Sequence, residues 1–296
     1  MSEGGLTRRD FVVTGSGAAV AGLLGLPGGA AAAGAAETSR VVLVRDPAVL
    51  DDGGRVDARL LARMLDDAVT ALLEAPGPEQ AWRRLVTADD VVGVKTNVWR
   101  NLATPPALEE AIVRRVREVG VAEANVAVDD RGIRTNPVFT RATALINARP
   151  SRIHHWAGLG TCLKNYIMFA PRPADHHPNG CESLGAIWRL PEVEGKTRLN
   201  VLVMLTPLFH GVGPHAFSPE FTWPYAGLVV GVDPVAVDAT GARIMEAKRR
   251  DFFGEDRPIS PPLHHIVAAD RRYHLGNASP ERIQLVRLGA TEGSLI

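Results

Sequence analysis

The sequence contains only two cysteines, Cys162 and Cys181, among 296 residues. Two thiols cannot supply the four ligands of an iron–sulfur cluster from one chain, and they exclude a disulfide-rich scaffold. An excess of charge is also lacking, because 33 Lys and Arg balance 33 Asp and Glu. Since nucleic-acid affinity depends on clustered cations that neutralise phosphates, we expect no nucleic-acid partner.

Lysine is scarce as well. Four of the 33 basic residues are lysine, and the remaining 29 are arginine; the lysines are Lys95, Lys164, Lys196 and Lys248. A chain that uses arginine at nearly every basic position makes each lysine a candidate for a particular role. The 46% hydrophobic and 22% charged composition is that of a globular protein rather than a disordered one.

The N-terminal segment has no charged residue from Phe11 to Ala36, and the pair Arg8-Arg9 precedes it. This pattern resembles a twin-arginine export signal, which the twin-arginine translocase reads. The small residues at 30–36 can hold a cleavage site, so we assign residues 1–36 to the signal and expect a periplasmic or extracellular protein. The alternative is an uncleaved membrane anchor, although the Gly and Ala content makes the run weakly hydrophobic. Once the signal is cleaved, no stable membrane span is expected.

Residues 37–296 alternate apolar runs with amphipathic patterns, which predicts one α/β domain. The sheet is expected to be open and mostly parallel, with helices on both faces, because its strands are continuously apolar. The predicted strands lie near residues 41–44, 90–94, 125–128, 145–146, 199–205, 228–232 and 283–286. Residues 149–180 show no sustained period, and we predict a long irregular insertion rich in His and Cys there.

Charged side chains follow several predicted strands. Lys95 and Asn97 follow one strand, Asp129 follows the next, and Asp233 follows a later one. Ligands of open α/β sheets bind outside the carboxyl ends of the strands, so these residues are expected to meet Lys164 in one crevice. Helix capping is an equal alternative for Asp233, but it is unavailable to Lys95, whose ammonium cannot accept a hydrogen bond.

Six of the nine His and two Cys residues lie within residues 154–181. Because His and Cys bind zinc, iron and copper, His154, His177 and Cys181 are candidate ligands of such a metal ion. The alternative is that the histidines are solvated and that Cys162 and Cys181 are buried thiols or a disulfide.

The segment from Gly158 through Gly160 to Lys164-Asn165 is a candidate anion-binding site. Glycines allow backbone amides to approach an anion, and a lysine adds a point charge. The segment is not a Walker motif, and the sequence has no specific hydrolase signature.

Several short motifs together resemble the domain of unknown function 362 family. They are His154, Ala157-Gly158, Leu163-Lys164-Asn165, Val94-Lys95-Thr96-Asn97, His177-Pro178-Asn179-Gly180-Cys181, Gly213-Pro214, Trp223-Pro224-Tyr225, Asp233-Pro234-Val235-Ala236-Val237-Asp238, His265-Ile266 and Leu275-Gly276. The resemblance covers most of residues 37–296. It implies this fold and an association with iron–sulfur or redox proteins, although the cluster cysteines that some relatives append are absent here.

These observations favour an exported enzyme, metal-dependent or redox-associated, that acts on a small anionic substrate. Lys95, Lys164 and Asp129 are its candidate catalytic residues, the first two holding the anion and Asp129 serving as acid or base. Asn97, Gly158, Gly160, Asn165 and Asp233 are candidate substrate-binding residues. The alternatives are a non-catalytic envelope protein that binds or carries a metal or anion, and an interaction module that uses exposed Trp156 and Trp223.

Overall fold

A computed structural model describes residues 38–213 and 216–296 of the chain. The predicted export signal at 1–36 lies outside the described residues. Within the two described ranges, no helix combines the length and the hydrophobicity needed to cross a bilayer.

An eight-stranded sheet forms the centre of the described chain. Its strands are β1 (Ser39–Arg45), β2 (Val92–Lys95), β3 (Val126–Asp129), β4 (Ala144–His154), β5 (Gly158–Gly160), β6 (Thr197–Leu208), β7 (Gly227–Gly231) and β8 (Ile283–Gly289). Seven of them follow the order β3-β2-β4-β6-β7-β1-β8, and β5 pairs with the end of β4. Only β5 and β7 run antiparallel to the rest. The predicted α/β class with a mostly parallel sheet is confirmed.

The helices are α1 (Ala58–Leu72), α2 (Pro78–Leu85), α3 (Pro106–Val119), α4 (Cys162–Asn165), α5 (Pro178–Cys181), α6 (Leu184–Ile187), α7 (Pro234–Phe253) and α8 (His264–Arg271). Helix α1 begins where the carboxylate of Asp57 accepts from the amides of Arg59 and Leu60. Helices α1 to α3 bury their apolar faces in a core on one side of the sheet. Helices α4 and α6 to α8 contribute to a second core on the other side, so helices cover both faces.

The first part of the predicted irregular insertion is regular. Strand β4 extends to His154, whereas the sequence pattern ended it at Ile146, and β5 and α4 follow directly. The prediction of an irregular segment beginning at Arg149 is therefore wrong. Arg149 and Arg152 interrupt the apolar pattern, yet they are buried inside the strand, and a pattern based on hydrophobicity cannot recognise a strand that buries charge.

The reversed direction of β7 separates two residues that were expected to lie together. Its carboxyl end lies at the edge of the sheet where the parallel strands begin. Asp233 follows β7 and accepts a hydrogen bond from Ser39, the first residue of β1. The prediction that Asp233 shares a crevice with Lys95 is wrong, because the carboxyl end of the antiparallel strand β7 lies at the opposite edge of the sheet.

Candidate functional site

Lys95 ends β2 and is completely buried. Its ammonium donates to a carboxylate oxygen of Asp130 at 2.5 Å, to the carbonyl of Thr96 at 2.8 Å and to the amide oxygen of Asn165 at 3.4 Å. Burial lowers the pKa of Lys95 to about 8, although the attraction of Asp130 raises it. In turn, Lys95 lowers the pKa of Asp130 against the effect of burial. The pair is a buried ion pair whose two charges cancel.

A row of asparagines crosses the sheet from this ion pair. The side-chain NH2 of Asn165 donates to Asn147 at 2.8 Å, and that of Asn147 donates to Asn200 at 2.9 Å. The row ends where Asn200 donates to the carbonyl of Val232 at 2.9 Å. Because a backbone carbonyl can only accept, the orientation of every amide in the row is fixed. Asn165 is therefore a rigid neighbour of Lys95.

Asp129, the candidate acid or base, does not reach this ion pair with its carboxylate. One oxygen accepts from the backbone N–H of Gly132 at 2.9 Å, and the other accepts from the side chain of Asn136 at 3.0 Å. Asp129 thus stabilises the turn after β3, and the neighbouring Asp130 contacts Lys95 instead. Adjacent residues of an extended chain point to opposite sides, so Asp130, directly after β3, faces Lys95 and Asp129 does not.

Asp233 caps α7 at the opposite edge and is already satisfied there. Its carboxylate accepts from Ser39 Oγ at 2.5 Å and from the backbone amides of Val235, Ala236 and Asn277 at 2.7 to 3.0 Å. A cavity of about 500 Å³ lies beside it. The four donors occupy the carboxylate, so the structure assigns Asp233 to capping, the alternative considered from the sequence.

Arg149, Arg152 and Lys164 form what we call the basic cluster. They are 3%, 4% and 2% exposed, and none has a carboxylate within ion-pair distance in the described part of the chain. The Nε of Arg149 is closed off from water without a hydrogen-bond partner, and so is the Nε of Arg152. Arg152 donates to Asn97 Oδ1 at 3.0 Å and packs over the ring of Trp99 at 4.6 Å. Asn97 therefore reaches the cluster through Arg152.

The three cations of the basic cluster repel one another. Burial lowers the pKa of Lys164 to about 8; the contact with Cys181 acts to raise it, and repulsion from Arg149 lowers it further. Burial and repulsion from Arg149 also lower the pKa of Arg152. Burial lowers the pKa of Arg149 to about 10, although the electrostatic attraction of Asp130 and Asp238 raises it. Isolated buried charges are costly, and in the described chain no carboxylate forms a direct ion pair with any of these three cations.

Helix α4 is held in place by Asp238 of α7. The carboxylate accepts from the hydroxyl of Thr161 at 2.6 Å and from the backbone amides of Cys162 and Leu163 at 2.8 and 2.9 Å. Burial raises the pKa of Asp238 to about 7, while the three donors act to lower it. The contact fixes the start of the helix that carries Lys164 and Asn165.

Gly158 and Gly160 lie in β5, which pairs with β4, rather than in a loop around an anion. Gly158 has a φ of +73°, and a Cβ there would lie 2.2 Å from the carbonyl oxygen of Pro261. A Cβ on Gly160 would lie 2.4 Å from Nη2 of Arg149. The expectation that these glycines cradle an anion with their amides is not supported, since their small size instead leaves room for neighbouring groups.

The candidate metal ligands His154, His177 and Cys181 make other contacts. His154 Nδ1 accepts the backbone N–H of Trp156 at 3.2 Å, and the ring of His177 stacks on Trp156 at 3.9 Å. The thiol of Cys181 lies 3.6 Å from the ammonium of Lys164. Within residues 38–213 and 216–296, no group of three or more His, Cys, Asp or Glu side chains is arranged to hold a metal ion. Metal binding by these three residues therefore stays a prediction from the sequence.

Burial disfavours the charged form of three nearby histidines. Burial and the neighbouring cations lower the pKa of His154 far below its usual value, and burial lowers that of His177 to about 4. His265 is fully buried, and burial lowers its pKa to about 3. Cys162 and Cys181 are free, buried thiols, which was the alternative considered from the sequence.

Sequence reasoning missed Asp130, Arg149, Arg152 and Asp238. Arg149 and Arg152 gave no signal because they are two among 29 arginines. Asp130 adjoins Asp129, and only the direction of its side chain distinguishes the two. Asp238 ends one of the short motifs, but its role depends on a contact with α4 across 77 positions of sequence.

Comparison with protein-family models, with curated proteins and with solved structures finds no match to this chain. The resemblance to the domain of unknown function 362 family therefore stays a prediction from the motifs. Within the described residues, the strongest indication of function is the burial of three cations in the basic cluster without a direct ion-pair partner.

Proposed function

We propose that this protein binds a small anion at the basic cluster. The proposal rests on the environment of Arg149. Its guanidinium is buried, its Nε has no hydrogen-bond partner, and no carboxylate of the described chain lies within ion-pair distance of it. Buried polar groups without partners are rare in folded proteins, and each requires an explanation. A bound anion supplies both the missing acceptor and the missing charge.

Each residue of the site has a part in this proposal. Arg149 and Arg152 present guanidinium forks suited to a carboxylate, and Lys164 adds a point charge. The Lys95–Asp130 pair, being neutral as a unit, supports Asn165 and the row of asparagines. Lys95 therefore acts as a structural neighbour of the site, and Lys164 takes the role of contacting the anion.

An enzyme and a non-catalytic carrier both fit an anion site, and Lys164 favours the enzyme. A carrier needs only charge, which another arginine provides as well. A primary amine that is buried among cations can also react as a nucleophile, in addition to supplying a charge. The metal-dependent part of the sequence-based hypothesis finds no fitting ligand set in the described residues, so no step is assigned to a metal.

Calorimetric titration with acetate, pyruvate and inorganic phosphate tests this proposal. Arg149→Met should abolish binding while leaving the free energy of unfolding unchanged or higher, because it removes an unpaired buried charge. Arg172→Leu, at a side chain that is 82% exposed, is the matched control and should bind like the wild type. Equal binding by Arg149→Met would refute the proposal.

We also propose that the protein is exported by the twin-arginine route, with the pair Arg8-Arg9 as the recognised signal. The expected mature chain begins between about residues 32 and 38. Conservative replacement of both arginines by lysine should retain the precursor in the cytoplasm. N-terminal sequencing of the exported protein would contradict cleavage if it returned Met1.

A further inference from the structure

Lys164 differs from the other buried lysine of the described chain. Lys95 donates to the carboxylate of Asp130 at 2.5 Å. Lys164 is equally buried, but the hydrogen bond that it makes goes to the sulfur of Cys181 at 3.6 Å. Among the described residues no carboxylate neutralises it, and two guanidinium groups lie close enough to repel it. Its amine is therefore placed where an ammonium charge is poorly compensated.

Charge alone does not explain why this position is a lysine. The chain uses arginine at 29 of its 33 basic positions, and arginine would complete a cationic cluster without loss of charge. A primary amine offers what a guanidinium does not, since its nitrogen can attack a carbonyl carbon. Lysines that are desolvated and placed beside other cations are activated for this reaction.

We propose that Lys164 forms an imine with the carbonyl carbon of a small oxo acid whose carboxylate is held by Arg149 and Arg152. The inference rests on the proposed function, because the anion site brings the carboxylate to the cluster. It narrows the ligand class from any small anion to one that carries a ketone or aldehyde near its carboxylate.

The proposed step balances without an oxidant or a reductant. The nitrogen lone pair forms the C–N bond while the π pair of the carbonyl moves onto oxygen. The oxygen then leaves as water, which carries away the two hydrogens that the nitrogen loses. The product is a C=N bond between Lys164 and the oxo acid. Once protonated from solvent, this bond withdraws electrons from an adjacent C–C or C–H bond, which is the first requirement for decarboxylation or aldol-type chemistry.

Reductive trapping tests the inference directly. The full-length protein is incubated with pyruvate or acetoacetate and sodium borohydride, and the modified lysine is located by peptide mass mapping. The four lysines make the map simple to read. We expect the adduct at Lys164, with little at Lys196 and Lys248, which lie nearer the surface. Excess lactate, which has no ketone, should slow the trapping by occupying the same anion site.

Two variants separate this inference from the proposed function. Lys164→Arg keeps the positive charge but removes the primary amine, so it should yield no adduct at position 164. Arg149→Met should lose both lactate binding and trapping. If lactate binds but neither oxo acid modifies Lys164 above the level of Lys196 and Lys248, the imine is refuted and the anion site stands. If lactate, pyruvate and acetoacetate all fail to bind, the proposed function itself is refuted.

Discussion

Gly160 lies directly against the guanidinium of Arg149, where a Cβ would come within 2.4 Å of Nη2. The strand pairing of β5 with the end of β4 creates this contact, and the missing side chain leaves the space that the guanidinium occupies. The atom that such a Cβ would contact, Nη2, is at the end of the flexible side chain of Arg149. A methyl group at position 160 would therefore displace Arg149 rather than prevent folding.

We predict that Gly160→Ala weakens anion binding about tenfold or more while costing only about 1–3 kcal/mol of stability. Calorimetric titration with pyruvate and urea denaturation measure the two quantities. Gly53→Ala is a suitable control, because Gly53 lies in an exposed turn and its nearest neighbour is a side-chain oxygen of Asp51 at 3.3 Å. An unaltered affinity in Gly160→Ala would show that the position of Arg149 does not matter.

Asp238 and Asp233 offer a second matched comparison, because each carboxylate holds the start of a helix, Asp238 fully buried and Asp233 partly buried. Asp238 fixes α4, which carries Lys164, whereas Asp233 fixes α7 at the opposite edge of the sheet. We expect both Asp→Asn variants to lose about 1–3 kcal/mol of stability. Only Asp238→Asn should also weaken pyruvate binding, since Asp238 positions Lys164. Equal effects on binding would assign the loss to general destabilisation.

Much of the fold could be predicted from the sequence, because apolar strands and amphipathic helices have clear periods. The strands β1, β6 and β8 lie where the pattern of residues places them. The pattern carries no information on strand direction, however, and the reversal of β7 moved Asp233 to the other edge. The direction of each strand in the sheet depends on its pairing with distant segments, and a single sequence does not reveal this pairing.

The site was predicted only in part. Lys164 and Asn165 stood out from their local motif, and Asn97 and Lys95 were found at a strand end. The arginines of the basic cluster could not be found, because burial of a charged residue is a tertiary property. The choice between Asp129 and Asp130 needed the direction of each side chain, which depends on the pairing of β3 with β2.

The Lys95–Asp130 ion pair should contribute to stability in a way that the surface pair Lys248–Asp251 does not. Lys95→Met leaves the Asp130 carboxylate buried without its main partner and should cost about 3–5 kcal/mol. The double variant Lys95→Met/Asp130→Asn should recover much of this loss, since it removes the stranded charge and keeps an acceptor for the amide of Val98. Lys248→Met should cost about 1 kcal/mol or less. Urea denaturation of the variants gives all three values.

Should Lys95→Met unfold no more easily than Lys248→Met, the Lys95–Asp130 pair would not be buried in solution. A double variant that is less stable than Lys95→Met would point instead to a separate structural role of the Asp130 carboxylate. Either result would contradict the claim that the buried Lys95–Asp130 pair supports Asn165.

The pKa of Lys164 makes a prediction about pH. Its value in the folded protein, about 8, lies below the ordinary 10.5, so the unfolded chain binds the proton more tightly. Unfolding therefore takes up a proton between these values, and the stability of the wild type should rise with pH across that window. The rise, relative to Lys164→Met, should be on the order of 3 kcal/mol.

Denaturation of the wild type and Lys164→Met from pH 7 to pH 10.5 measures this difference. Lys248→Met, which removes a partly exposed lysine that pairs with Asp251, should follow the wild type and serves as the control. A difference between the wild type and Lys164→Met that stays constant with pH, or falls as the pH rises, would mean that Lys164 is compensated in the native protein.

A crystal soaked in selenate tests most directly whether the basic cluster binds an anion, because selenium can be located by its anomalous scattering. We predict a peak within hydrogen-bond distance of Arg149 and Lys164 in the wild type, and none at that position in Arg149→Met. A well-diffracting wild-type crystal with no selenium at the basic cluster, or with its strong peaks confined to other parts of the molecule, would contradict the proposed function.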